Sequence, residues 1–287
     1  MPPARSHYLS IAGHEIHVTE WGDPHAPPLV LWHGLARTGR DFDTAAAHFA
    51  PHWRVICPDT IGRGLSSWSA APATDYTLPA YVAHAEALLA ALAIDTCAWV
   101  GTSMGGLVGL GAAAGPLKGR ITRLVLNDIG PALNPLAIER IKLYVNLVPA
   151  FATMTQFETF IRAAYAPYGF QTDGEWRRMA EDSARRRDDG RITVHYDPQV
   201  MTVFAEHASD VDLWPWWDEL SCPVLVLRGE ASDLLLPETA MAMTQRGVRA
   251  QLVTVPGCGH APALNVPEQL AVLDAFLNAP ATTPAQD

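Results

Sequence analysis

The sequence predicts an α/β protein: a mainly parallel sheet flanked by helices, interrupted once by an inserted helical segment. Three observations carry this reading. Short runs of Val, Ile and Leu recur along the 287 residues, each followed by turn residues and a longer Ala-rich stretch, which is the rhythm of strand–helix–strand units. The runs lack the strict apolar–polar alternation of strands wetted on one face, so they belong to a sheet covered on both faces. The rhythm lapses between Pro131 and about Pro215 and then resumes, as it does when a segment is inserted into a sheet-forming chain.

Taken in order, Tyr8–Ile11 and Glu15–Glu20 flank a tight Ala-Gly-His turn and form a hairpin that opens the sheet. Strands follow at Leu29–Trp32, Arg54–Cys57, Cys97–Val100, Arg123–Leu126, Val224–Leu227 and Gln251–Val255. Tyr81–Ala93, Gly105–Ala114 and Glu268–Leu277 carry apolar residues at the 3.6-residue spacing of helices packed on a sheet. Residues 1–130 and 216–287 therefore form the core, and 131–215 form a helical insert placed over the strand ends as a lid. Ala281–Asp287 reads as a frayed tail.

Composition excludes several classes of function. Apolar residues make up 49% of the chain and charged residues 17%, enough to bury a large core. Twenty Lys and Arg against thirty Asp and Glu leave a net charge of −10, which repels phosphate backbones, so no nucleic-acid partner is expected. The richest apolar stretch, Leu107–Leu117, is broken by Gly109, Gly111, Gly115 and Pro116 and falls short of the ~20 residues of a membrane span. The first residues lack the apolar run of a secretory signal. Cys57, Cys97, Cys222 and Cys258 include no C-x-x-C pair, and a cytoplasmic protein with reduced, buried thiols is expected. H-E-x-x-H and phosphate-cradling glycine loops are absent, so neither a metal nor a cofactor is expected. Oligomeric state is not legible.

The chemistry concentrates at Gly101-Thr102-Ser103-Met104-Gly105-Gly106, a G-x-S-x-G element between a strand and a helix. A strand turning at once into a helix strains its middle residue, and the glycines remove side chains that would clash across the bend. Ser103 is thereby pushed out at the carboxyl edge of the sheet, where its hydroxyl needs a base before it can attack a carbonyl. His260, on the Gly-rich loop after the last strand, is the expected base. Asp233, on the loop after the preceding strand, is the preferred orienting acid; Asp128, after an earlier strand, is the alternative. The backbone amides of Leu35 and Met104 are the expected oxyanion donors. His33 is expected to brace the oxyanion loop, with Gly34 allowing close approach.

With His33-Gly34 as an oxyanion loop, Ser103 as a nucleophile elbow, Pro58 to Ser66 as the loop after the next strand, and Gly259-His260 followed by Pro267-Glu268, the chain resembles the α/β-hydrolase fold superfamily. The match spans residues 8 to 280 and falls on its serine-nucleophile, esterase-like branch. The resemblance implies that 131–215 is a helical cap domain shaping the pocket.

The expected activity is cofactor-independent hydrolysis of a small-molecule ester through an acyl-enzyme on Ser103. Carbon–carbon hydrolysis of ring-fission products is the alternative, because Ser103-Met104-Gly105-Gly106 also resembles that branch. Lactonases and thioesterases share the same groups, and a noncatalytic ligand receptor is the rival from another class. Enzymes of this fold with Asp at the nucleophile position are excluded by Ser103. Arg185-Arg186-Arg187, framed by acids, reads as a solvated helix face. Tyr144, Phe151, Phe157, Phe160, Tyr165 and Trp176 either line a pocket or hold the insert together, and Trp214, Trp216 and Trp217 serve as a hinge or as packing.

Overall fold

The computed structural model describes residues 4–143, 148–207 and 212–280. Tyr144 and the tail Ala281–Asp287 lie outside the described residues. The chain opens with the antiparallel pair β1 (Arg5–Ile11) and β2 (His14–Trp21). Strand β3 (Pro28–Trp32) leads to helix α1 (Asp43–Phe49), then β4 (Arg54–Pro58), the short α2 (Pro72–Asp75) and α3 (Leu78–Ala91). Strand β5 (Cys97–Thr102) runs directly into α4 (Met104–Ala114), and β6 (Ile121–Asn127) follows. Before the sheet resumes come α5 (Pro135–Lys142), α6 (Met154–Tyr165), α7 (Asp173–Asp182), β7 (Ala184–Arg186), β8 (Ile192–Val194), α8 (Pro198–His207) and α9 (Trp214–Asp218). The described chain closes with β9 (Val224–Gly229), α10 (Pro237–Gln245), β10 (Gln251–Val255) and α11 (Pro267–Leu277).

The main sheet has the order β1-β2-β4-β3-β5-β6-β9-β10, antiparallel at β1–β2 and β2–β4 and parallel from β4 onward. Neighbouring strands β3 and β5 send the chain in opposite directions across the sheet, and this switch opens a crevice at their carboxyl ends. The missing alternation in the sequence now has its cause. Val30, Trp32, Val224 and Val226 face one apolar core with α3, α4 and α10, while Leu29, Leu31, Leu225 and Leu227 face a second with α1 and α11. Each fully buried Leu or Val contributes roughly 1.5–3 kcal/mol.

The insert differs from its expected all-helical form. Ala184–Arg186 and Ile192–Val194 pair as an antiparallel ribbon, so Arg185 and Arg186 lie on a hairpin rather than a helix face. Helix α7 starts with a Thr172/Glu175 capping box and is capped at Ser183, and Gly190 supplies the positive φ for the ensuing turn. Both arginines are exposed, and Arg185 stacks its guanidinium 4.3 Å from the Trp68 ring centroid. Phe157, Ile161, Trp176, Ala180, Ile192 and Val194 form a small core of their own, whereas Ile138, Val200 and Met201 join the main core. Trp217 is fully buried and donates Nε1–H to the Arg246 carbonyl at 2.9 Å, while Trp216 packs over Gly111, so this cluster is packing. Among the described residues no helix is long and apolar enough to cross a membrane, and all four cysteines are free and buried.

Candidate active site

Ser103 sits at the strand–helix turn with φ 53° and ψ −119°, in the positive-φ region that L side chains avoid. The turn closes only because its glycines lack Cβ atoms. A methyl group at Gly101 would lie 2.2 Å from the Gly105 carbonyl oxygen, and one at Gly105 would lie 2.0 Å from that of Trp32. Gly34 is less demanding, since a Cβ there would stand at an ordinary 3.6 Å from Ser103 Cβ.

His260 Nε2 lies 2.9 Å from Ser103 Oγ, and its Nδ1 lies 2.7 Å from Asp128 Oδ2. A carboxylate only accepts, so Nδ1 carries the proton and Nε2 is free to accept from the serine hydroxyl. The carboxylate against His260 is thus Asp128, not the preferred Asp233. Asp128 is fully buried at the end of β6 with φ 56°, and its Oδ1 also accepts from the Gly229 amide at 2.8 Å. Ser232 donates to Oδ2 at 2.5 Å. Its own oxygen accepts from the Leu234 and Leu235 amides, which turns the hydroxyl proton toward Asp128. Asp233, one residue on, points the other way. Its side chain is 48% exposed and grips Arg140 of α5 through two hydrogen bonds of 2.9 and 3.1 Å. The loop after β9 therefore serves the site through Ser232 and the Gly229 amide rather than through its own acid.

Three further residues organise the site without having stood out in the sequence. Asn127 is fully buried and its side-chain amide donates to Thr102 Oγ1 and to the Pro262 carbonyl, joining the ends of β5 and β6 to the histidine loop. Arg63 is fully buried, donates to the Leu35 carbonyl at 2.9 Å and reaches Met104 Sδ at 3.4 Å. Thr60 gives its amide to His33 Nε2 at 2.9 Å. The other ring nitrogen of His33 donates to the Gly34 carbonyl at 2.7 Å, which also accepts from the Arg37 amide. Burial pushes His33 down to about 4, so it stays neutral and can hold both bonds. Because a trans peptide sets C=O and N–H on opposite sides, fixing the Gly34 carbonyl turns the Leu35 N–H the other way. Among the described residues neither the Leu35 nor the Met104 amide has a protein acceptor. The Met104 amide opens helix α4, where the helix dipole favours negative charge.

These groups open on a mostly apolar cavity of about 960 Å³, within the size range of small-molecule sites. Its walls include Leu107, Ile138, Phe160 and Tyr165, while Phe151, Phe157 and Trp176 belong to the insert's own core. Among the described residues no group of three or more His, Cys, Asp or Glu side chains is arranged to hold a metal.

Residues 29–273 match the profile of the alpha/beta hydrolase family. The chain is 41% identical over 279 residues to a 3-hydroxybutyrate-oligomer hydrolase of Cupriavidus necator, covering 93% of this chain and 94% of the relative. It is 28% identical over 268 residues to a pimeloyl-[acyl-carrier protein] methyl ester esterase of Xanthomonas campestris, covering 86% and 93%. The crystal structure of an alpha/beta hydrolase from Novosphingobium aromaticivorans superposes with a TM-score of 0.86 at 35% identity, covering 96% of this chain and 99% of the other.

Proposed function

The chain belongs to the alpha/beta hydrolase family, and from that premise we propose that it is a serine hydrolase of carboxylic esters with Ser103, His260 and Asp128 as its triad. The observation that carries this reading is the unbroken relay from Ser103 Oγ through His260 to Asp128, at 2.9 and 2.7 Å. In the first half-reaction His260 Nε2 takes the hydroxyl proton as Ser103 Oγ attacks the ester carbonyl. The oxygen, now negative, meets the Leu35 and Met104 amides, and each such donor is worth roughly 2.7–4 kcal/mol in the transition state. His260 then returns the proton to the leaving alcohol. Water attacks the acyl-enzyme by the same route and frees the acid. Asp128 keeps the imidazole in the required tautomer and stabilises its cation.

The relative of 41% identity acts on 3-hydroxybutyrate oligomers, and the cavity is roomy enough for a short aliphatic oligoester, so that substrate class is included in the proposal. The residues between β6 and β9 act as the cap: Ile138, Phe160 and Tyr165 contribute walls to the cavity that Ser103 also lines.

Release of nitrophenol from 4-nitrophenyl esters, abolished by a fluorophosphonate that labels Ser103, tests the reading. Ser103→Ala should lower kcat by up to ~10⁶-fold with the melting temperature preserved. Folded Ser103→Ala protein that retains near-normal turnover rejects it.

A further inference from the structure

Five tyrosines line the cavity, and their hydroxyls fall into two groups. Those of Tyr76 and Tyr81 are committed: Tyr76 donates to Asp197 at 2.7 Å, and Tyr81 accepts from Arg63 at 2.7 Å. Those of Tyr165, Tyr168 and Tyr196 have no protein hydrogen-bond partner among the described residues, yet none is sealed inside the protein. Three half-buried tyrosines that line one cavity and whose hydroxyls lack a protein partner are free to donate to a ligand that enters it.

Their placement is held from several sides. Tyr165 lies under the Arg37 guanidinium, 4.4 Å from the ring centroid, and meets Tyr168 edge-on at 5.1 Å. Arg37 is itself locked, forked onto Asp41 and donating to Ser183 of the insert at 2.8 Å. Tyr168 is tied to the histidine loop, since its carbonyl accepts from the Ala263 amide and the neighbouring Pro167 carbonyl accepts from that of Gly259. Tyr196 follows His195, whose Nδ1 accepts from the Gly64 amide and so anchors that end of the insert to the core. Burial raises the Tyr168 and Tyr196 phenols well above their ordinary range and keeps them as neutral donors.

We infer that the Tyr165, Tyr168 and Tyr196 hydroxyls form a second subsite that donates hydrogen bonds to ester carbonyls beyond the one attacked by Ser103, so that the cavity selects oligoesters over simple alkanoyl esters. This rests on the ester-hydrolase reading and adds the residues that recognise the chain. The rest of the wall, being mostly apolar, accommodates the aliphatic carbons equally well in both substrates. The interior carbonyl that these phenols can meet is present in the oligoester alone.

Two probes with the same acyl carbon count test it: 4-nitrophenyl octanoate and 4-nitrophenyl 3-(butanoyloxy)butanoate, which differ by an interior ester. The unmodified protein should favour the second in kcat/KM. Tyr165→Phe, Tyr168→Phe and Tyr196→Phe each remove one oxygen, with folding followed by melting temperature. At least one should lower the ratio of the two kcat/KM values by about tenfold, the effect of one neutral hydrogen bond. A ratio unchanged in all three folded variants overturns the inference and leaves the ester reading standing, as does an unmodified protein that prefers the octanoate. An unmodified protein that cleaves neither probe overturns the ester reading and this subsite with it.

Discussion

The loops that follow β6 and β9 each carry an aspartate at the same edge of the sheet, and the two carboxylates have opposite surroundings. Asp128 is fully buried and accepts from the Gly229 amide, the Ser232 hydroxyl and His260. Asp233 is half exposed and paired with Arg140, and both residues line the cavity. A carboxylate can be buried only where donors replace its lost water, and those donors come from β9, its loop and the histidine loop, all more than a hundred residues away in sequence. Position after a strand therefore does not identify an orienting acid; the donors that converge on it do.

This contrast has measurable consequences. Asp128→Asn, which keeps the shape but permits the wrong imidazole tautomer, should lower kcat by about 10⁴-fold in steady-state ester hydrolysis. A loss no greater than that of Asp233→Asn would reverse the assignment. Ser232→Ala removes one of three donors to Asp128 and should lower kcat about tenfold with KM little changed; kcat equal to that of the unmodified protein would show that the hydroxyl is idle.

Buried groups elsewhere extend the contrast to stability. Burial, the largest influence on both, takes His33 and His195 from the ordinary 6.5 down to about 4 and about 3. The unfolded chain thus binds protons that the fold does not as pH falls below 6.5, so the stability these residues contribute is present above that value and is lost on the way to 4 and 3. Asp43, raised to about 6 chiefly by burial, acts in the opposite sense between 3.8 and 6, which makes a variant comparison the clean test. His195→Asn should lose less stability than the unmodified protein between about pH 7 and about pH 5 in urea titrations. An equal or larger loss would contradict this. The smallest effect belongs to Asp233→Asn, which should change kcat/KM no more than a few-fold, since exposed ion pairs are worth ~0–1 kcal/mol.

Much of the architecture was legible because it follows from short-range rules. The runs at Leu29–Trp32 and Val224–Leu227 read as doubly covered strands, and the structure assigns alternate residues of each to the two cores. The strained elbow at Ser103 was legible because Gly101 and Gly105 mark where Cβ atoms cannot fit. The β7–β8 ribbon was not, since its strands are three residues long and one of them is Ala-Arg-Arg, which carries no strand pattern. Asn127, Arg63 and Ser232 gave no local signal because each acts by bridging segments distant in sequence.

The sequence by itself determined the strand–helix order, the two-faced sheet and the serine at its edge, since each depends on residues a few positions apart that sterics and hydrophobic periodicity constrain locally. Only the tertiary structure decided which aspartate faces His260 and which of the tyrosines lining the cavity keep hydroxyls without a protein partner among the described residues. Those outcomes depend on where donors and acceptors from remote loops converge, and a hydrogen bond a few ångströms long has no counterpart in distance along the chain.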